Sequence, residues 1–392
     1  LATSRSLAVA RLRISTAALI VPISSGSATT AKPMSISPLS ERGRRDGNRG
    51  IFRGIWYLPM VGMPQAVNDT HPYTSLTPEL VIRAIEVLGY AADGRILALN
   101  SYENRVYQVG REEGTPVVVK FYRPGRWRSP AILEEHQFAL ELARAEVPIV
   151  APEVHAGRTL FELDGFRYAV YPRAGGRWPE LASRDERAWM GRFLGRIHAI
   201  GAAKSFSHRP RLDWRVLGRE TADFLLGAGW IPPHVEPAYA SLADDLLRLV
   251  AQRFADATPY RARRLHGDCH PGNVLWTEAG PHFVDLDDCM TGPAVQDLWM
   301  LLSGSAEEQR EQFADLLEGY REFADFDRRE ILLVEPLRTL RIMHYAGWLA
   351  RRWDDPAFPR AFPWFEEPRF WERHVLDLRE QLAAMEEPPL LA

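Results

Sequence analysis

The chain has 392 residues, 46% of them apolar and 25% charged, with a formal net charge of −3. That is an ordinary globular profile, long enough for two domains or one bilobal enzyme, with nothing in the bulk charge to favour nucleic acid or an anionic membrane. Its two cysteines, Cys269 and Cys289, form no CxxC pair, which leaves no thiolate zinc site, argues against a disulfide framework and suits a reduced, intracellular setting.

From Leu1 to Ser40 there is no acidic residue, and Arg5, Arg11, Arg13 and Lys32 are scattered among Ser, Thr and Ala. Two readings of this stretch stand: an organellar transit peptide, or translation assigned upstream of a true start at Met60 or Met63. The apolar run Ile14 to Ile23 is about half the roughly 20 residues that a membrane helix needs. Residues 1–74 are therefore expected to be a disordered or spurious extension.

Order is expected from Thr77-Pro78-Glu79, a cap followed by Pro in the first turn. A short helix then carries Leu80, Ile82, Ala84, Ile85, Val87 and Leu88, with Gly89 as its stop. Strands are predicted over 95–99, 105–109 and 116–122, then a helix over 129–145, then strands over 159–163 and 166–171 joined by Asp164-Gly165. That order suits an antiparallel sheet with one helix on a face. After Pro172-Arg-Ala-Gly-Gly176 the pattern becomes helical, with helices over 185–200 and 238–254. A strand-loop-strand unit follows over 264–286, and further helices run to the C-terminus. The fold class is thus α+β and bilobal, with a sheet-rich N-lobe over 75–172 and a helical C-lobe over 173–392.

The chemistry concentrates in Leu265-His-Gly-Asp-Cys-His-Pro-Gly-Asn-Val-Leu-Trp276 and Phe283-Val-Asp-Leu-Asp-Asp288. Asp268 and Asn273 stand five apart on a loop, and Asp285 ends an apolar strand twelve residues on. The H-x-D-x-x-x-x-N spacing followed by a strand-end Asp is that of a phosphotransferase catalytic loop. Asn273 and Asp285 offer oxygen ligands to Mg2+, which neutralises the phosphates of ATP. Asp268 is placed to take the acceptor proton. His266 reads as a brace for the loop and Cys269 as a small residue in a tight turn.

These strings resemble the aminoglycoside phosphotransferase and choline kinase branch of the kinase-like superfamily. Asn100-Ser-Tyr-Glu-Asn-Arg-Val-Tyr107, Val118-Val-Lys-Phe-Tyr-Arg-Pro124, Leu133-Glu-Glu-His-Gln-Phe138, Gly292-Pro-Ala-Val-Gln-Asp-Leu-Trp299 and Arg351-Arg-Trp353 are similar to the stress response kinase A family of bacterial serine/threonine protein kinases. The likeness covers almost everything from about residue 75 onward. It implies catalysis by Asp268 and Asp285, with Mg2+ held by Asn273 and Asp285 and ATP as co-substrate. It puts Ser101 in the loop over the ATP phosphates, where Ser101 and Asn104 must supply donors in place of the usual glycines. Lys120, which closes an apolar strand, pairs with Glu135, Glu134 being the alternative, and faces the α- and β-phosphates. Residues 168–176 become the adenine-binding hinge, and Asp297 secures the catalytic loop by accepting backbone N–H bonds. Asp287 and Asp288 read as solvated or loop-capping, the Arg261–Arg264 cluster as a solvated approach to a strand, and the aromatics of 354–365 as core.

The resulting expectation is a stress-response serine/threonine protein kinase able to phosphorylate itself, cytoplasmic and monomeric, acting on proteins and on neither nucleic acid nor membrane. The alternatives are a small-molecule kinase of the aminoglycoside or choline type, and a nucleotide-sensing module without catalysis.

Overall fold

The computed structural model describes residues 71–390, so the expectations for the stretch up to residue 70 lie outside the described residues. Helix α1 (Pro78–Glu86) begins where the Thr77 side chain accepts the Leu80 N–H, a donor otherwise orphaned at a helix start. Strands β1 (Ala92–Ala98), β2 (Arg105–Arg111) and β3 (Val117–Phe121) follow, then helix α2 (Ser129–Arg144), then β4 (Phe161–Leu163) and β5 (Phe166–Pro172). They form one antiparallel sheet in the order β1-β2-β3-β5-β4.

Alternate side chains of a strand face opposite ways, and here both faces are covered. Val117, Val119, Phe121, Phe166 and Val170 bury against Leu80, Val81, Ala84 and Ile85 of α1. Tyr122 and Ala169 pack instead on Ile132 of α2. The sheet therefore has a helix on each face, where the sequence pattern indicates one. Lys120, between Val119 and Phe121, is sent by the same alternation to the α2 side. Strand β1 starts earlier than the apolar pattern suggests. The Asp93 carboxylate accepts the Arg95 N–H at 2.9 Å, and the register slips between Ala92 and Ile96.

Beyond Pro172 the chain is mainly helical. Helices α3 (Arg184–Ala202), α4 (Glu220–Gly227) and α5 (Glu236–Ala257) lead to β6 (Arg263–Leu265), β7 (Val274–Thr277), β8 (Gly280–Phe283) and β9 (Met290–Gly292). Helices α6 (Val295–Trp299), α7 (Ala306–Tyr320), α8 (Val334–Ala350), α9 (Ala357–Ala361) and α10 (Pro368–Glu386) complete the described chain. The strands between α5 and α6 pair as two small ladders, β6 with β9 and β7 with β8. Ser183 with Glu186 and Ser305 with Glu308 build reciprocal capping boxes at the starts of α3 and α7. Those two helices approach so closely that a Cβ on Gly319 would lie 1.9 Å from the Ala188 carbonyl oxygen. Phe358, Phe362 and Phe365 are buried, as core aromatics. Among the described residues no helix is long and apolar enough to cross a membrane.

The Arg261–Arg264 cluster is a correction. Arg263 and Arg264 are only 5% and 4% exposed. Arg264 pairs with Glu141 of α2 at 2.8 Å and lies over the Phe138 ring at 4.5 Å, while Arg263 donates to the Tyr320 hydroxyl of α7 at 3.0 Å. Partners from distant segments satisfy both charges, and local sequence cannot reveal such partners.

Candidate active site

Strand β6 carries the chain inward to His266, which is fully buried. Gly267 takes φ +88°, and a Cβ there would meet the Asp288 carbonyl oxygen at 2.1 Å, so the turn admits only glycine. Asp297 of α6 accepts the N–H groups of His266 and Gly267, each at 2.8 Å. Its Oδ2 also takes His198 Nε2 at 2.9 Å. The structure thus gives Asp297 the anchoring contacts that the sequence reading assigns to it. His266 braces the other side, donating from Nε2 to the Val284 carbonyl at 2.9 Å.

The loop so fixed presents Asp268 and Asn273. The Asn273 amide NH2 donates to the Asp268 carbonyl at 2.9 Å, which leaves its Oδ1 free of hydrogen bonds among the described residues. Asp268 Oδ1 is 2.6 Å from Arg341 of α8, and its Oδ2 is 3.4 Å from His270 Nε2. Burial pushes this carboxyl upward, but Arg341 and His270 outweigh it and hold the group well below the usual carboxylate range. Cys269 beside it is buried, and burial drives the thiol well above its ordinary value, so no thiolate competes. Asp285 leaves β8 in a left-handed conformation, φ 59° and ψ 69°, with its side chain 48% exposed.

From the sheet side comes Lys120, whose ammonium lies 3.0 Å from Asp285, 3.2 Å from Asp287 and 3.5 Å from Glu135. Burial disfavours its charge, yet these three carboxylates overcome that and keep its pKa well above normal. The two glutamates have different neighbours. Glu135 meets Lys120, whereas Glu134 accepts the backbone N–H groups of Ser207, His208 and Arg209 at 2.7–2.9 Å. Ser101 sits half-buried in the β1–β2 loop with no hydrogen-bond partner among the described residues. Asn104 does not share that freedom. Its NH2 donates to Asp287 at 3.0 Å and its Oδ1 accepts the Arg123 N–H at 3.1 Å, so its side chain ties the loop down instead of facing a ligand.

Asp287 likewise departs from expectation: it is 3% exposed, not solvated. Arg126 reaches it and Asp288 together, and Arg126 and Lys120 hold the Asp287 carboxyl below the usual range against the upward push of burial. Two further ties escaped sequence reasoning. Glu103 of the β1–β2 loop accepts from Trp348 Nε1 at 2.7 Å and pairs with Arg352. Asp355 receives Arg105 and Arg123, each at 3.0 Å. Both couple the sheet-side loop to the helical side. Of the residues making these ties from the helical side, only Arg352 carries a sequence signal, as part of the Arg351-Arg-Trp353 string.

The donor set fits a hard cation. Asp285 and Asn273 Oδ1 offer oxygen donors, and among the described residues no cluster of three His, Cys, Asp or Glu side chains forms a self-sufficient metal cage. Mg2+ suits such a place, because it keeps water and substrate phosphates in its shell.

Comparison with known proteins places the chain among phosphotransferases. Residues 95–332 match the family model described as the phosphotransferase enzyme family. Stress response kinase A of Escherichia coli (strain K12) is 45% identical over 82% of this chain and 98% of its own length. A protein named serine/threonine protein kinase RdoA of Salmonella typhimurium is also 45% identical, with the same coverage. Among solved structures, an amicoumacin kinase in complex with AMP-PNP, Ca2+ and Ami superposes with a TM-score of 0.63 at 20% identity, covering 80% of this chain and 94% of that one. A spectinomycin phosphotransferase complexed with ADP and spectinomycin gives 0.55 at 17%, covering 77% and 98%. At such identities these two show the fold alone.

Proposed function

This chain belongs to the phosphotransferase enzyme family, in its stress response kinase A branch, and on that premise we propose a Mg2+- and ATP-dependent serine/threonine protein kinase that also phosphorylates itself. The observation that carries the reading is one constellation: an ionised Asp268, an Asn273 whose Oδ1 is free among the described residues, a half-exposed Asp285 and a Lys120 kept charged by Asp285, Asp287 and Glu135.

Each residue then has a task in moving the γ-phosphoryl group. Lys120 turns its ammonium from Asp285 toward the α- and β-phosphates, and Glu135 keeps it aimed. The Ser101 hydroxyl and nearby backbone N–H groups cover the phosphates from the β1–β2 loop. Asp285 and Asn273 would hold Mg2+, which would supply neutralisation of the phosphate charge. Asp268 accepts a hydrogen bond from the incoming Ser or Thr hydroxyl and takes its proton. The new O–P bond forms as the bond from the γ-phosphorus to the ADP oxygen breaks. Backbone groups of residues 168–176 serve as the adenine hinge.

Protein as the acceptor rests on the names of the relatives. It is also favoured by Arg341 on Asp268, since a cationic acceptor such as an aminoglycoside would meet a guanidinium there. A cytoplasmic setting is supported by the two free, buried cysteines, and a monomer is the simplest assembly consistent with the reading.

The test is transfer of labelled γ-phosphate in the presence of Mg2+, with generic proteins, amino alcohols and aminoglycosides as acceptors and Asp268→Ala alongside. Label on protein that disappears in the variant is the expected result. Label confined to a small molecule would sink the protein-kinase reading, and no transfer despite tight nucleotide binding would sink the enzymatic one.

A further inference from the structure

A second charged feature lies outside the centre just described. A cavity of about 530 Å3 is bounded by the outer side of α7, the turn that follows it and the C-terminal Pro388-Pro389. Its floor includes Leu317 and Ile331, and three arginines line it: Arg310, Arg321 and Arg328. Among the described residues no acidic side chain does. None of the three guanidiniums has an ion-pair or hydrogen-bond partner among the described residues.

Carboxylates are plentiful nearby, yet every one from residue 315 to 330 is engaged elsewhere. Asp315 pairs with Arg187 at 2.7 Å, Glu318 with Arg184 at 2.7 Å and Glu322 with Arg192 at 2.9 Å, all on α3. Asp325 pairs with Arg261 at 3.4 Å and Asp327 with Arg329 at 2.6 Å. Glu330 is fully buried and accepts the Val295 N–H at 3.0 Å. Within 315–330 the acids thus turn to α3, to neighbouring loops and to the Val295 N–H, while Arg321 and Arg328 turn to the cavity, where Arg310 of α7 joins them. A cation at the C-terminal end of a helix is favoured by the helix dipole, which accounts for Arg321 at the end of α7 but for neither Arg310 nor Arg328.

We propose that this cavity is a binding site for a phosphate monoester, the three arginines gripping the phosphoryl oxygens and the apolar floor taking the organic body. Guanidinium is the side chain best matched to phosphate, because its planar fork offers paired N–H donors. Like charges around one cavity also repel, and a dianion relieves that repulsion. The phosphoryl group has two possible sources, a phosphorylated side chain of a polypeptide or a free phosphorylated metabolite. The site stands on its own geometry, whichever acceptor the centre uses.

The experiment is calorimetric titration of the full chain, with ADP and Mg2+ saturating the nucleotide site. The probes are glycerol 3-phosphate and a phosphoserine peptide with apolar flanks, with the unphosphorylated peptide as control. Both phosphorylated probes are expected to bind saturably and to lose about 10-fold or more in affinity in Arg310→Gln/Arg321→Gln/Arg328→Gln, while the control does not bind. Arg328→Gln alone, expected to lose about 3-fold, guards against a folding artefact in the triple variant. A phosphopeptide bound at least about 5-fold tighter than glycerol 3-phosphate assigns the polypeptide source, and equal affinities assign the metabolite. Affinity unchanged in the triple variant, or no saturable binding of either probe at millimolar concentration, overturns the proposal.

Discussion

The centre around Lys120 and the cavity around Arg321 are both rich in arginine and lysine, but they treat charge in opposite ways. In the centre each cation is met by protein carboxylates: Lys120 by Asp285, Asp287 and Glu135, Arg126 by Asp287 and Asp288, Arg341 by Asp268. At the cavity three exposed cations meet none among the described residues. A buried network whose members all depend on one another is costly to break, because removing one group strands another inside low-dielectric protein. An exposed, unpaired cluster is inexpensive to keep and to lose, and its charge is free to act on a ligand. The comparison therefore predicts that damage to the centre shows in both turnover and stability, whereas damage to the cavity shows in ligand binding alone.

The largest effect is expected at Asp268. Asp268→Ala should lower turnover by about 10²-fold or more with ATP affinity nearly unchanged, because it removes the proton acceptor and no phosphate contact. Asp285→Ala should lower turnover comparably and also weaken Mg2+–ATP binding. Steady-state kinetics beside direct nucleotide titration separates the two. Wild-type turnover in Asp268→Ala would mean that the base has been misassigned.

Next comes Glu135. Glu135→Ala deprives buried Lys120 of one of its three carboxylates and Arg209 of a neighbour at 3.9 Å. Breaking a buried pair from one side costs about 3 kcal/mol, read as a lower urea midpoint. The loss of aim on Lys120 should cut kcat/KM for ATP by about 10-fold. Glu134→Ala, which removes only a cap on the Ser207–Arg209 backbone, should leave KM for ATP alone. Equal kinetic effects of the two substitutions would erase the distinction that the geometry draws between neighbouring glutamates.

Smaller still is Arg341→Ala, whose signature is a pH profile. Arg341 is the main cause holding the Asp268 carboxyl below its usual range, against burial. Without it the folded-state pKa rises, so the base protonates at a higher pH on acidification. The acid limb of kcat/KM should therefore move to higher pH, with a change of only a few-fold at pH 7.5. The same sign holds for stability. A depressed carboxyl pKa stabilises the fold above the unfolded pKa, and that gain is lost as pH falls through the folded value. The variant should then show a shallower loss of stability under acid than the parent.

How much of this was legible beforehand follows from where the partners lie. Asp268, Asn273 and Asp285 could be read because one loop and one hairpin carry them, at spacings set by local geometry. The bilobal order could be read because period-2 and helical patterns are local as well. Glu135 could not be separated from Glu134 by pattern, since neighbouring helix positions differ only by the rotation that faces one toward Lys120 and the other toward the Ser207–Arg209 backbone. Arg126, Arg341 and Asp355 stayed hidden for another reason. Their partners are 161, 73 and 250 residues away in the chain, and a surface arginine and a buried one look alike in sequence. The reading of Arg263 and Arg264 as solvated, and the choice left open for Asp287 between a solvated and a loop-capping place, share that cause.

The smallest effect is the one that sharpens the contrast most. Arg310→Gln/Arg321→Gln/Arg328→Gln removes three charges that have no partner among the described residues, so no described group is stranded by their loss. Surface substitutions away from caps and ion pairs usually stay within about 0.5 kcal/mol, and three like charges around one cavity leave a little repulsion to be relieved. The urea midpoint of the triple variant should thus match or slightly exceed that of the parent, and turnover on a protein acceptor should be unchanged. The Glu135→Ala protein, measured alongside, should fall clearly below both. A triple variant as destabilised as Glu135→Ala would show that these arginines support the fold through contacts of their stems with the cavity floor, and the division between a self-paired centre and a ligand-seeking cavity would fail on its second half.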